Sequence, residues 1–337
     1  MKILVTGGAG FIGSNLIAKL LDKTDFEIIL IDKFSYASNP EYIKELKNKS
    51  NRLSIINSTI DNESILDSVH CDVIINLAAE THVTRSINDS RNFLENDILA
   101  TDTLLKSSLK NKKLKKFIHI STSEVYGTSS MKSKKMNEEH PLNPLSPYAS
   151  SKCGADRLVY SYGKTYDFPF TIIRPFNNYG PRQHLEKLIP RFICSILNKK
   201  TLTIHGNGKA SRDYIYVEDT CEALLKVINT KKNIFHEVFN LGCGKDYSIV
   251  DVANILFSIS KCKKNKTHVE PRPGQVGQHL CDNRKFNKFF NWRPKVSFKQ
   301  GLIKTFKWYV DNYDWWSKRL DLEKVRIVMP NRKIFYH

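Results

Sequence analysis

Tyr148 and Lys152, in the run Pro147-Tyr148-Ala149-Ser150-Ser151-Lys152, stand four residues apart, so on a helix the phenol and the ammonium share one face. An ammonium beside a phenol favours the phenolate and makes Tyr148 a base usable near neutral pH. A carboxylate lies 24 residues upstream, Glu124 in Ser121-Thr122-Ser123-Glu124-Val125-Tyr126-Gly127. A tyrosine and a lysine at this spacing are common by chance. They gain meaning from the start of the chain, which carries the pattern of a hydride acceptor's binding site.

That start is an apolar run, Ile3 to Val5, entering a turn with glycines at Gly7, Gly10 and Gly13, after which Leu16, Ile17, Leu20 and Leu21 recur at helical spacing. The order suits a buried strand, a loop whose backbone approaches a pyrophosphate, and a helix N-terminus whose partial positive charge faces it. Asp32 closes the next apolar run, Ile28 to Ile31, where an acid binds a ribose 2′-hydroxyl. A carboxylate there repels a 2′-phosphate, so the expected cofactor is NAD, not NADP.

These residues need a scaffold, and the chain provides one. Strand-like runs at 3–5, 28–31, 53–56, 73–77, 117–120 and 170–173 alternate with helical stretches, which indicates a parallel sheet covered on both faces. The residues of interest follow the carboxyl ends of those runs, where ligands of such sheets bind. Beyond residue 180 the pattern shifts to helices near 188–197, 217–228 and 249–259 with short strands between them. The expected division is a dinucleotide domain at 1–180, carrying the Tyr148/Lys152 helix, then a mainly substrate-binding lobe at 181–316 and an extension at 317–337. In that extension Leu320, Leu322, Val325, Ile327 and Val328 are candidates to pack on the body or on a second subunit.

Composition narrows the classes. With 41% hydrophobic residues and no low-complexity tract, the 337 residues can bury a large core. No run approaches the roughly 18 to 20 apolar residues that span a bilayer, and a strand and glycine turn occupy the place of a signal peptide, so a cytoplasmic setting is expected. The seven cysteines contain no CxxC pair, which argues against a disulfide framework and a structural zinc site; no metal is expected. The net charge of +19 comes from dispersed lysines, around Lys113, Lys134, Lys200, Lys232 and Lys264, in no recognisable nucleic-acid module.

Taken in order, Thr6 to Gly13, Asn76 to Val83, Ser121 to Gly127, Tyr148 with Lys152, Arg174 to Pro181, Glu186 to Pro190, Arg212 to Asp219, Asn240 to Gly242 and Arg272 to Gly274 resemble the extended short-chain dehydrogenase/reductases that act on nucleotide sugars, nearest the dTDP-glucose 4,6-dehydratases. The resemblance covers residues 1 to about 316. It implies a Rossmann-type doubly wound parallel sheet with a smaller C-terminal α/β lobe, and a homodimer joined through the 93–109 helix, with Phe93, Ile98 and Leu105 on its face, and the Tyr148/Lys152 helix. NAD would be held by Gly7, Gly10, Phe11, Ile12, Gly13, Asp32, Ile60, Ala78, Ala79, Tyr148 and Lys152. A dTDP- or UDP-linked sugar would meet Thr81, Asn177, Lys187, Leu188, Arg212, Asn240 and Arg272, the two arginines taking the diphosphate as paired donors. In such enzymes the tyrosine takes the proton of the sugar's 4-hydroxyl as carbon 4 is oxidised. Thr122 helps hold that oxygen, Glu124 removes the acidified carbon 5 proton, the 6-hydroxyl leaves, and hydride returns to carbon 6.

Departures from the family pattern keep the reaction open. Ser123 stands where these dehydratases carry an aspartic acid that protonates the leaving hydroxyl; an alcohol is a poor donor, which leaves Glu124 to act as base and acid in turn. Asp97 replaces an Asn, and Thr59 replaces an acid that contacts adenine. Thr-Ser-Glu also resembles UDP-glucuronate decarboxylases and some dehydratases for N-acetylated sugars, but the decarboxylases' extra arginine falls at Gly277 or Gln278. The alternatives are therefore decarboxylation or 4-epimerisation of a UDP-sugar or uronic acid. A catalytically silent binding subunit is the alternative of another class, and Tyr148, Lys152 and Glu124 together argue against it.

Overall fold

A computed structural model describes residues 1–129, 135–271 and 276–320, with the backbone of 326–328 and 334–336. The strands are β1 (Lys2–Thr6), β2 (Glu27–Asp32), β3 (Leu53–Asn57), β4 (Val73–Asn76), β5 (Lys116–Ile120), β6 (Phe170–Pro175), β7 (Asn177–Tyr179), β8 (Leu202–His205), β9 (Ser211–Tyr216), β10 (Glu237–Leu241), β11 (Asp246–Ser248), β12 (Lys266–Val269) and β13 (Gln278–His279). Seven form the main sheet in the order β10-β6-β5-β4-β1-β2-β3, every pairing parallel.

Successive side chains of a strand point to opposite faces, and here both are buried. Ile3, Val5, Ile28 and Leu30 pack with Leu16, Ile17 and Leu20 on one side, whereas Leu4, Ile29, Ile31 and Ile74 pack with Leu104, Leu105 and Val159 on the other. That is why these strands read as unbroken apolar runs. The strand order reverses between β1 and β4, and the crevice beyond their carboxyl ends opens there.

The second lobe centres on β9, flanked by β7 and β13 in parallel and β11 antiparallel, with a separate β8–β12 pair. Its core gathers Phe192, Ile193, Leu256, Leu302, Tyr309 and Trp316. The two lobes interleave in sequence. A parallel neighbour of β6 requires a long crossover, so the chain visits the second lobe before β10 completes the main sheet. Helix Val217–Asn229 packs on helix Phe11–Lys23, and Phe286, Phe290 and Trp292 join the same core.

Between Ser90 and Lys110 the helix widens to π geometry over Leu94–Leu99. Such widening re-aims a side chain. Here it carries Asp97, whose carboxylate accepts the Glu80 N–H at 2.8 Å and the Ser151 hydroxyl at 2.6 Å. Phe93 and Leu105, expected on a face between subunits, are instead buried inside the protomer, and Ile98 packs on Gly154. The helix spends this apolar stripe on its own body; its exposed apolar residues are Leu94, Leu99 and Leu109.

In the extension, the 326–328 strand pairs antiparallel with 334–336 and passes beside helix Val83–Asn88. Leu322 and Val325 lie outside the described residues. Among the described residues no helix is long and apolar enough to cross a membrane.

Candidate active site

A cavity of about 470 Å³ runs from the glycine turn, past the ends of β4 and β5, to the second lobe. At its first end Gly7 has φ +64°, and a Cβ on it would meet the Ala78 nitrogen at 2.6 Å. A Cβ on Gly13 would meet the Gly7 carbonyl oxygen at 2.5 Å. Only glycine lets turn, helix and β4 close up in this way. Helix Phe11–Lys23 begins at Gly10 with no side-chain cap, so its first N–H groups are left for a ligand. Asp32 accepts the Ala9 N–H at 2.9 Å and the Phe34 N–H at 2.7 Å. Burial pushes its pKa up, while those donors and Lys33 act against the shift. A backbone cradle that excludes any Cβ, with a carboxylate at the next strand end, fits a dinucleotide with a free ribose diol.

Gly10, Phe11, Ile12, Ile60, Ala78 and Ala79 line this end, as does Thr59. The acid absent at 59 has a neighbour: Asp61 lines the same wall and accepts a hydrogen bond from the Thr59 hydroxyl.

The middle of the cavity holds the chemical groups. A single 3₁₀ turn, Ser123–Tyr126, follows β5 and is capped by the Thr122 hydroxyl, which accepts the Glu124 N–H at 3.2 Å. Helix Pro147–Tyr166 starts with Pro147 in its first turn and with the Ser146 hydroxyl accepting the Ala149 N–H at 3.1 Å. These two starts bring Thr122, Ser123, Glu124, Tyr148 and Lys152 to one wall. Lys152 donates to the Ile120 carbonyl at 3.0 Å, and burial lowers its pKa against the pull of Asp97 and Asp156. The phenol departs from expectation. Burial pushes the Tyr148 pKa well up, Glu124 and Asp97 add to the rise, and a hydrogen bond with Thr122 opposes it. Desolvation thus outweighs the lowering expected from the lysine.

Glu124 faces two cations or potential cations: Arg212 Nε at 4.0 Å and His279 Nδ1 at 3.7 Å. Ser123 Oγ lies 3.4 Å from the same Nδ1. His279 was not foreseen, because it belongs to the two-residue strand β13 and reaches the site only by pairing with Arg212 on β9. No local motif marks it.

Toward the second lobe, Lys187 donates to the Thr81 carbonyl at 2.6 Å, which joins two residues expected on the substrate; Asn177, Leu188 and Arg212 share that wall. Arg212 is anchored by bonds to the Ser211 and Val276 carbonyls, each 2.9 Å. Phe192, Thr203, His205, Tyr214 and Ile249 also line this end and had no signal beyond burial or strand pattern. Asn240 is a correction: it is fully buried away from the cavity, accepting from the Tyr126 hydroxyl at 2.7 Å and donating to the Met136 carbonyl at 2.9 Å. Its amide links β10 to the loop before the helix. Arg272 lies outside the described residues.

Comparison with known proteins agrees with this geometry. The chain matches the GDP-mannose 4,6 dehydratase family model over residues 4–305. It is 39% identical over 312 residues to the low-salt glycan biosynthesis protein Agl12 of Haloferax volcanii, covering 92% of this chain and 99% of that one. Among solved structures it resembles DesIV, a dTDP-glucose 4,6-dehydratase from Streptomyces venezuelae with NAD and TYD bound, at TM-score 0.89 and 34% identity, over 94% and 99% of the two chains. It also resembles the UDP-glucuronic acid 4-epimerase from Bacillus cereus in complex with UDP-glucuronic acid and NAD, at TM-score 0.87 and 35% identity, over 92% and 99%.

Proposed function

The chain belongs to the GDP-mannose 4,6 dehydratase family, and from that premise we propose that it is an NAD-dependent nucleotide-sugar 4,6-dehydratase, converting a dTDP- or UDP-linked hexose to its 4-keto-6-deoxy form. The observation that carries this reading is the convergence of Tyr148, Lys152 and Glu124 on one wall, directly beyond a glycine cradle. NAD bound in that cradle supplies a hydride acceptor that becomes a donor, so carbon 4 is oxidised and carbon 6 reduced without net reductant. Gly7, Gly10, Gly13 and Asp32 would hold it.

The chain's own residues handle the protons. Tyr148 takes the 4-hydroxyl proton; because burial favours the neutral phenol, its ionisation depends on nearby charge, and Lys152 is the buried cation on its helix face. Thr122 steadies the phenol and the sugar oxygen. The new ketone acidifies the carbon 5 proton, which Glu124 removes. Lys187, Arg212 and Asn177 bind the diphosphate side. We further propose a homodimer through the helix bearing exposed Leu94, Leu99 and Leu109 and the Pro147–Tyr166 helix; a monomer in light scattering at micromolar concentration would count against it.

A uronic-acid reading is favoured by Thr-Ser-Glu and by the likeness to the UDP-glucuronic acid 4-epimerase. The position for a carboxylate's counter-cation holds Gly277 and Gln278, and the Gln278 amide is engaged by Asp246 at 2.7 Å. Incubation with dTDP-glucose, UDP-glucose, UDP-N-acetylglucosamine and UDP-glucuronate, followed by mass spectrometry with chromatographic separation of 4-epimers, separates the readings. Loss of water from a hexose is expected. Carbon dioxide released from UDP-glucuronate, with the others untouched, would overturn the proposal.

A further inference from the structure

His279 is fully buried, and its two nitrogens have different neighbours. Nε2 lies 2.5 Å from the Gly127 carbonyl oxygen, which only accepts, so Nε2 carries the hydrogen. The tautomer is thereby fixed, and the Nδ1 lone pair faces Ser123 Oγ at 3.4 Å and Glu124 Oε1 at 3.7 Å. Phe176 packs edge-on to the ring, and the β13–β9 pairing holds the backbone. Burial lowers the pKa of His279 to about 4, with Glu124 and the Gly127 bond acting against the shift and Arg212 and His140 adding to it. A neutral imidazole therefore presents a base to a serine and a carboxylate at once.

Ser123 poses a chemical problem that this base can solve. Elimination places a proton on the leaving oxygen, and an unassisted alcohol is too weak an acid to give one. Resting on the dehydratase reading above, we propose that His279 is a proton relay joining Glu124 to Ser123. Glu124 takes the carbon 5 proton, and the C–H electron pair becomes the double bond to carbon 6 as the bond from carbon 6 to oxygen breaks. The departing oxygen takes the hydroxyl proton of Ser123. Ser123 Oγ regains a proton from Nδ1, which receives it from Glu124. One proton moves from carbon 5 to the leaving oxygen, water departs, and all three side chains end as they began. His279 touches the reacting residues and not the sugar, so it is a positioning residue.

The test is His279→Gln, whose amide can still donate to Gly127 but cannot pass a proton, studied by rapid quench in the NAD-loaded protein beside Ser123→Asp in the same background. The relay predicts elimination slowed about 10²-fold, accumulation of a 4-keto hexose that retains its 6-hydroxyl, unchanged oxidation at carbon 4, and recovery of elimination when Ser123→Asp supplies the acid directly. Wild-type elimination in His279→Gln overturns the relay. So does equal slowing of oxidation and elimination without rescue by Ser123→Asp, the result of a merely structural histidine. A wild-type protein that removes water from no nucleotide sugar removes the dehydratase reading and the relay with it, whereas a wild type that dehydrates beside an unimpaired His279→Gln removes the relay alone.

Discussion

Helix Pro147–Tyr166 carries Tyr148, Lys152 and Asp156 at successive spacings of four, and the polar clusters at the two ends of this stripe are finished differently. Around Asp156 the network closes. Arg174 donates to its carboxylate at 2.8 and 2.9 Å and to the Tyr126 hydroxyl at 2.9 Å; that hydroxyl donates to Asn240 at 2.7 Å, and Asn240 to the Met136 carbonyl. Around Tyr148 it stays open. Lys152 makes a bond to Ile120, while Ser123 and Glu124 face His279 at longer range. A buried polar group that is fully paired fixes structure; one with capacity left over can act on a ligand. The difference assigns Asn240 to the frame and Ser123 to the chemistry.

Breaking the closed end should affect stability most. Arg174→Met removes the buried partner of Asp156 and leaves its carboxylate to the half-exposed Arg157, with an expected loss of about 3 kcal/mol in urea unfolding; a stability equal to wild type would erase the distinction between the ends. The open end should answer in turnover. Tyr148→Phe is expected to lose roughly 10²- to 10⁴-fold in activity with its melting temperature nearly unchanged, and a variant that melts early yet still turns over would reverse the assignment.

Acid sharpens the contrast. Burial acts to raise the Asp156 pKa, but the hydrogen bonds and charges of Arg174 and, to a lesser degree, Arg157 override it and hold the carboxyl well below its usual 3.8. A depressed carboxylate stabilises the fold above its unfolded value and loses that contribution as pH falls toward the folded one. Wild-type stability should therefore drop as pH falls below 3.8, and Asp156→Asn should lack this component of the drop in a pH series of unfolding curves.

The smallest effect concerns Asp97, between the two ends. Burial raises its pKa from 3.8 to about 6, against the influence of Lys152, the Ser151 hydroxyl and the Glu80 N–H, while the Glu80 charge adds to the rise. The native state then holds the proton longer, so stability falls as pH rises from 3.8 through about 6. Asp97→Asn should stabilise the protein at neutral pH by about 1 to 2 kcal/mol, less than the full shift because Lys152 loses a counter-charge, and the gain should vanish in acid. A gain that grows in acid would show the sign to be wrong.

Legibility in the sequence follows the range of each interaction. The glycine turn, Asp32, the Ser123–Tyr126 turn and the Tyr148/Lys152 pair are each defined within a few residues or by an alternating strand pattern, and they meet in one cavity. His279 reaches the site across 155 residues from Glu124 through a two-residue strand, so no periodicity betrays it. Asn240 stands in a family motif, and only the packing of Tyr126 and Arg174 reveals that its amide is already occupied. Phe93 and Leu105 form an apolar helix face that a sequence cannot assign to a partner or to its own sheet. The Tyr148 pKa went against the charge argument because burial, which spacing does not report, is the larger effect.

A 4,6-dehydratase site of this design moves a hydride from carbon 4 to carbon 6 of one sugar while its side chains move the protons. The most direct test offers wild-type protein a dTDP- or UDP-hexose deuterated at carbon 4 and locates the label in the product by NMR. A 4-keto-6-deoxy sugar with deuterium at carbon 6 is expected. Deuterium lost to solvent, or returned to carbon 4 in a product of unchanged mass, would contradict the dehydratase reading.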